Sequence, residues 1–270
     1  MTESRTLEIS TPLYDFEKGK LYHGDCVEVM SNMADESIDL TVTSPPYDNM
    51  RNYKGYTFDF EKTADELFRI TKQGGVVVWV VGDATIKGSE TGTSFRQALY
   101  FKHLGFNLHD TMIYEKAQSP FGSNLCYLQS FEYMFVFSKG RPKALNLIRD
   151  RKNKRSGVES VAAGGLSADG VKQERIRKEL KEYGRRKNIW KYGVGGSKID
   201  HPAVFPEQLA RDHIITWSNE GDVVLDPMCG SGTTCVVAKQ QGRHFIGIDC
   251  AEEYLEIARK RIESANNNNG

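Results

Sequence analysis

Two stretches at opposite ends of the chain carry side chains suited to catalysis as a pair. The first is Ser44-Pro45-Pro46-Tyr47, which closes the apolar run Ile38-Asp39-Leu40-Thr41-Val42-Thr43. A β-branched run that meets two prolines reads as a buried strand ending in a stiff loop, because proline fixes φ and removes a backbone donor. Each proline keeps its carbonyl acceptor, Ser44 adds a hydroxyl and Tyr47 a flat aromatic face. Such a set could hold one planar amino group; taken alone, it is also an ordinary rigid strand end. The second stretch runs from Val223 to Asp249. It comprises a strand (Val223-Val224-Leu225), the bend Asp226-Pro227-Met228-Cys229-Gly230-Ser231-Gly232, a helix from Thr233, and a strand from His244 to Ile248 that ends in Asp249. A glycine bend lets a ligand approach the backbone, the amides at the helix start are free, and an acid at the end of the next strand can accept ribose hydroxyls.

The ligand of that second stretch should therefore contain a ribose. Only Gly230 and Gly232 are present, without the third glycine of a dinucleotide fingerprint, and Asp226 at the strand tip suits an ammonium better than a pyrophosphate. Both points favour S-adenosyl-methionine, which has a cationic amine and no phosphate, over NAD. The competing reading is a purely structural βαβ turn.

Periodicity supplies the elements around these groups. Lys20–His23 reads as a strand, followed by Gly24-Asp25-Cys26 and a short helix through Met33. Lys62–Lys72 has helical spacing and is expected to end on Gly74-Gly75, glycine supplying a left-handed cap. Val76–Val81 is too continuously apolar for a half-exposed strand and fits a sheet covered on both faces. Ser94–Leu104 reads as a helix, and Phe106–Glu115 with Phe131–Phe137 as an antiparallel hairpin at a sheet edge. Helices over Glu207–Trp217, Thr233–Gln241 and Ala251–Ile262 complete the set. The nucleotide-type half lies at the C-terminus, with too few residues after it to finish a sheet, so its partner strands must be the earlier ones. The expected fold is thus α/β and Rossmann-like, a circularly permuted, mostly parallel sheet. The Ser44 strand should lie beside the Asp226 strand, with both loops at the carboxyl edge where ligands bind.

Net charge is +0, but it is unevenly spread. Residues 141–200 hold 17 Lys and Arg against 7 Asp and Glu, in a glycine-punctuated stretch whose most basic part, Arg175–Lys187, reads as helical at least to Gly184. A basic block in an acidic body is the footprint of a phosphate-contact surface, although a solvated charged helix has the same composition. The segmentation is then a catalytic half (1–140), a basic insertion (141–200), a cofactor half of the same domain (201–265) and an Asn-rich tail (266–270). Five cysteines without a Cys-x-x-Cys pair argue against a secreted disulfide framework or a zinc ribbon and fit a reducing cytoplasm. Cys229 and Cys235 read as small packing residues, and His23, His103 and His109 have no metal-ligand spacing. No run of about twenty apolar residues is present to span a bilayer, so a membrane role is not expected.

At this point the residues resemble a known family, the amino-methylating DNA methyltransferases of the β arrangement, in which a Pro-Pro-Tyr/Phe motif precedes the target-recognition region and the cofactor motif comes last. The resemblance covers nearly the whole chain and implies the S-adenosyl-methionine-dependent methyltransferase fold. It implies that Asp226, Pro227, Cys229, Gly230, Gly232, Thr233 and Thr234 form the cofactor loop, that Asp249 is the ribose acid, and that Asp25 and Cys26 lie beside the cofactor's adenine. His201-Pro202 and Phe205 resemble the segment covering the methionine end, although the family often has a basic residue where Phe205 stands. Residues 141–200 fall where a target-recognition region belongs. Arg175, Arg177, Lys178, Arg185, Arg186 and Lys187, with Arg51 and Tyr53 after the catalytic motif, are the expected DNA contacts. The implied partner is duplex DNA in a bacterial, archaeal or phage setting, with room for a homodimer and a cognate restriction endonuclease.

An exocyclic amine is a poor nucleophile because its lone pair is delocalised into the ring. The expected catalysis is therefore direct, in-line transfer. The Ser44 side chain and the Pro45 carbonyl accept hydrogen bonds from the amine, Pro46 stiffens the loop, and Tyr47 stacks on a flipped base. Carbon-5 methylation needs a cysteine nucleophile, normally after proline, and no Pro-Cys pair occurs. Within the family the Ser-Pro-Pro-Tyr form is commoner among cytosine-N4 enzymes, so the expected target is cytosine N4, with adenine N6 as the alternative and a non-catalytic DNA-binding protein as the reading from another class.

Overall fold

The computed structural model describes residues 11–46, 58–117, 127–154, 156–157, 159–161, 177–193 and 206–265. In chain order the elements are β1 (Tyr14–Phe16), β2 (Gly19–His23), α1 (Cys26–Ser31), β3 (Ile38–Thr43), α2 (Phe60–Ile70), β4 (Thr71–Val81), a small hairpin of β5 (Thr85–Ile86) and β6 (Ser89–Glu90), α3 (Thr93–Leu104), β7 (Asn107–Lys116) and β8 (Phe131–Ser138). Four short strands follow, β9 (Arg151–Lys152), β10 (Glu159–Val161), β11 (Arg177–Glu179) and β12 (Tyr183–Gly184). The chain then forms β13 (Ile189–Tyr192), α4 (Glu207–Trp217), β14 (Val223–Asp226), α5 (Thr233–Gln240), β15 (His244–Asp249) and α6 (Glu252–Ser264).

Nine of these strands form one sheet in the order β1-β2-β15-β14-β3-β4-β8-β7-β13. β2, β15, β14, β3 and β4 run parallel to one another. β14 from the end of the chain lies beside β3, pairing Val224 with Leu40 and Leu225 with Thr41, as the permuted order requires. The continuous apolar run of β4 serves two layers. Val76, Val78 and Val80 join the core with Leu209, Ile214, Val236, Leu255 and Ile262 of α4–α6. Val77, Trp79 and Val81 pack with Met30, Leu67, Ile70 and Phe101 of α1–α3. Alternate residues of a strand point to opposite faces, so a strand buried on both sides must be apolar throughout. Each fully buried large apolar side chain contributes roughly 1.5–3 kcal/mol. Trp79, completely buried, donates its indole N–H to Gln97 at 2.9 Å.

Three expectations are corrected. The β7–β8 hairpin is antiparallel as read, but it is not the edge: β13 pairs parallel with β7, Ile189 opposite Ile113 through Tyr192 opposite Lys116. Trp190 of β13 is buried at 4.7 Å from the His213 ring, and the Tyr192 hydroxyl donates to Asp212 at 2.6 Å, so α4 and β7 together capture this four-residue strand. The helix expected over Arg175–Lys187 is absent from its described part, which instead holds β11 and β12, paired antiparallel with β10 and β9. A helix there would set Arg177 four residues before Lys181 and Lys181 four before Arg185, like charges on one face. Lastly, α2 ends at Ile70, where Thr71 returns its hydroxyl to the Leu67 carbonyl at 2.5 Å. Gly74, at φ +80°, is then not a cap but part of a bulge inside β4, where the register with β3 jumps from Ile38–Thr71 to Leu40–Val76.

Chain contacts divide the protein into one unit of residues 1–146 and 188–270 and a second, Leu147–Lys187. Among the described residues no helix is long and apolar enough to cross a membrane.

Candidate active site

β3 delivers Ser44 and Pro46, both half-buried, and Pro45, buried, to the carboxyl edge of the sheet. Tyr47, Arg51 and Tyr53 lie outside the described residues, as do Arg175, His201, Pro202 and Phe205. The neighbouring strand β14 ends on Asp226, which is 2% exposed. Its Oδ1 accepts the Thr43 hydroxyl at 2.8 Å and the Met228 amide at 3.2 Å. Burial pushes this carboxyl up to about 6, against the pull of its hydrogen bonds from Thr43 and the Met228 amide.

The bend beyond Asp226 is built by its glycines. Gly230 and Gly232 take φ of +49° and +76°, a region L side chains avoid, and a Cβ on Gly232 would come within 2.7 Å of Ala258 Cβ in α6. Cys229 donates its amide to the Ile248 carbonyl at 2.9 Å, drawing the bend over the end of β15. There Asp249 accepts the Gly230 amide through Oδ2 at 2.8 Å and the Ala251 amide through Oδ1 at 2.9 Å. Each oxygen retains a lone pair for a further donor. Burial raises this carboxyl as well. Cys229 and Cys235 are buried, and a Cβ on Gly247 would fall within 3.0 Å of both sulfurs, so the two thiols occupy the space that glycine leaves open.

The end of β2 meets the same edge, His23 standing opposite Asp249 and the Gly24 amide donating to the Asp249 carbonyl at 3.0 Å. Asp25 caps α1, its Oδ1 accepting from Val27 at 2.8 Å and Glu28 at 3.2 Å. The Cys26 thiol turns inward to Thr63 Oγ1 at 3.6 Å, and burial pushes it up to about 11. Thr233 and Thr234, both buried, open α5.

One brace of the glycine bend carries no motif signature. Arg261 of α6 donates through Nη1 to the Ser231 carbonyl at 2.6 Å, the Ser231 hydroxyl at 3.0 Å and Thr233 Oγ1 at 3.2 Å, and through Nη2 to Glu207 at 2.7 Å. In sequence it is one cation among several on a helix; only packing aims it at the bend.

In the basic unit, Arg177 and Lys178 lie on β11 opposite Val161 and Ser160. Arg185 and Lys187 are exposed, whereas Arg186 is half-buried and ion-paired with Asp150 at 2.5 Å.

The arrangement sets a hydroxyl and a proline carbonyl, able to hold an amine, at one strand end. A carboxylate, two positive-φ glycines and a second acid, able to hold an aminoacyl nucleoside, stand at its neighbours. A profile of the DNA methylase family that covers N6 and N4 enzymes matches residues 38–260. The orphan methyltransferase M.BamHII of Bacillus amyloliquefaciens is 56% identical over 242 residues, 86% of this chain and 91% of that protein. The type II methyltransferase M.ScaI of Streptomyces caespitosus is 29% identical over 270 residues, 95% of this chain and 85% of that protein. In fold the chain is similar to the cytosine-N4-specific PvuII DNA methyltransferase, with a TM-score of 0.68 at 21% identity over 96% of this chain and 90% of that one. It is likewise similar to TTHA0409 of Thermus thermophilus complexed with S-adenosyl-L-methionine, with a TM-score of 0.62 at 24% identity over 93% of this chain and 96% of that one. With the profile running from the Ser44 strand into α6 and one relative more than half identical, the chain belongs to the N6/N4 DNA methylase family.

Proposed function

We propose that this DNA methyltransferase transfers a methyl group from S-adenosyl-methionine to the N4 amine of cytosine in duplex DNA, directly and in line, with the target base flipped out of the helix. The observation that carries the reading is the adjacency of β3 and β14, whose ends bear Ser44 and Asp226. S-adenosyl-methionine supplies, when bound, a methyl group made electrophilic by its sulfonium. The chain's own residues do the rest. Asp226 takes the ammonium of the aminoacyl end, Asp249 accepts ribose hydroxyls, Gly230 and Gly232 keep the backbone clear, and Asp25 and Cys26 border the adenine. His201, Pro202 and Phe205 cover the methionine end. Ser44 and the Pro45 carbonyl accept the two amine hydrogens and draw the nitrogen toward tetrahedral geometry, while Tyr47 stacks on the base.

The basic segment that includes Leu147–Lys187 is the target-recognition region in this reading. Arg175, Arg177, Lys178, Arg185, Arg186 and Lys187 contact phosphates there, and Arg51 and Tyr53 contact DNA beside the catalytic motif. Serine at position 44 supports cytosine, since that form of the motif is the commoner one among cytosine-N4 enzymes. A second copy of the chain and a cognate restriction endonuclease are the protein partners that the family resemblance suggests, and the solution mass measured by light scattering tests the first.

The deciding experiment incubates the protein with methyl-labelled S-adenosyl-methionine and duplex DNA, then digests the DNA to nucleosides. Label in N4-methylcytosine is the expected result. Label in N6-methyladenine would replace the base while keeping the mechanism, and label confined to RNA or protein would overturn the DNA reading.

A further inference from the structure

The ladder between β14 and β3 is short. It pairs Val224 with Leu40 and Leu225 with Thr41 and goes no further, so the last residues of the two strands, each in register with its other neighbour, are not tied to one another by backbone pairing. Where the backbone pairing stops, side chains take over. The Thr43 hydroxyl donates to Asp226 Oδ1 at 2.8 Å, and the Thr234 hydroxyl, from the first turn of α5, donates to the Val42 carbonyl at 3.2 Å. Thr43, Thr234 and Asp226 are each at most 2% exposed. Val42 and Thr43 are the two residues immediately before Ser44, and Asp226 and Thr234 flank the glycine bend. The two bonds therefore cross between the amine-holding strand and the cofactor loop in both directions.

We propose that Thr43 and Thr234 are positioning residues that fix the cofactor loop against the strand bearing Ser44, Thr43 by holding the Asp226 carboxylate and Thr234 by holding the Val42 carbonyl. The inference rests on the reading of Asp226 as the acceptor for the cofactor's ammonium. In-line transfer tolerates little error in the separation of donor and acceptor, and a displacement of about 1 Å can cost on the order of a hundredfold in rate. Buried hydroxyls suit this task because each has a single proton to donate, and so fixes one oriented bond.

Thr43 has a second consequence. A hydroxyl that donates to the ionised carboxylate favours the charged form, the form an ammonium needs, and so opposes the burial that raises Asp226. Among the described residues, the other ionisable groups facing Asp226 are Asp249 at the end of β15, which raises it further, and the Cys229 thiol of the bend, pushed well up by its hydrogen bond with the Cys235 thiol of α5 and by burial.

The test measures S-adenosyl-methionine binding by calorimetry from about pH 5 to about pH 8 and the methyl-transfer rate in a single turnover on duplex DNA. Thr43→Val should move the acid limb of binding upward by about one pH unit, weakening affinity about fivefold at about pH 6 and little at about pH 8, whereas Thr43→Ser should restore the wild-type limb. Thr234→Val should slow single-turnover transfer by about tenfold while cofactor affinity at about pH 8 stays within about threefold. If the valine variant at position 43 does not fold, Thr43→Cys, a weaker donor, takes its place in the same pH series. A wild-type pH profile in the position-43 variant, or a serine variant no better than valine, would overturn the proposal for Thr43; an unchanged transfer rate in Thr234→Val would overturn it for Thr234. Asp226→Asn separates the two levels: if that variant binds the cofactor as tightly as wild type at every pH, the ammonium assignment itself fails.

Discussion

Asp226 and Asp249 are held by buried and half-buried neighbours: Thr43 and the Met228 amide on one carboxylate, the Gly230 and Ala251 amides on the other. In the unit Leu147–Lys187 the order is reversed, with strands of two or three residues and basic side chains such as Arg185 and Lys187 at the surface. The difference fits the roles proposed above for the two regions. A transfer site must hold a few groups in one geometry, and burial supplies that at the cost of desolvating charges. A phosphate-contact surface works through charge at longer range, where exposed and adaptable side chains suffice.

Substitutions on the two sides of this contrast should differ in size. The largest effect is expected from Ser44→Ala, which should slow methyl transfer by about a hundredfold in a single turnover while leaving cofactor affinity within about twofold. The opposite split would move Ser44 out of the amine site. Asp226→Asn should come next, weakening S-adenosyl-methionine binding by at least about tenfold, as expected for a lost charge-assisted contact, with little further loss in the rate of bound enzyme. Its pH behaviour adds a second check. The folded-state value of about 6 lies above the ordinary 3.8, so the folded protein holds this proton more tightly than the unfolded chain does. Stability from this group is therefore present at low pH and declines as pH rises between those two values. Denaturation midpoints of the Asn variant should lack that decline, and an identical pH dependence in both proteins would remove burial as the cause.

A smaller effect is expected from Arg261→Met, which keeps the apolar stem but releases Ser231 and Thr233. KM for the cofactor should rise several-fold with kcat nearly unchanged, and Arg261→Lys should restore only part of the loss because an ammonium cannot reproduce the fork of bonds. The least effect belongs to the basic unit. Arg185→Ala and Lys187→Ala should each weaken DNA binding by only a few-fold, uniformly across sequences, and lower the salt slope by about one. If either abolished transfer without altering the salt slope, the unit would belong on the buried side of the contrast.

Much of the catalytic region was legible because its signals are local. Pro45-Pro46 must stop β3, Gly230 and Gly232 must bend the chain where they stand, and the apolar runs of β3, β4 and β14 describe their own burial. The motif order alone required β14 to lie against β3. The Arg175–Lys187 stretch misled because Ile176, Leu180 and Tyr183 have helical spacing, while the strands that pair with β11 and β12 lie elsewhere in the sequence. The Gly74-Gly75 pair misled in the same way, since a positive φ serves a strand bulge as well as a helix cap.

Residue order was thus enough for the pair of motifs, the chemistry their side chains allow, and the permuted sheet that must bring them together. Folding added that β13 forms the edge, that Arg261 braces the bend, and that Thr43 reaches Asp226. Each of these is a contact between residues far apart in the chain, made by an ordinary side chain or strand whose partner is chosen by packing and leaves no periodicity or spacing behind.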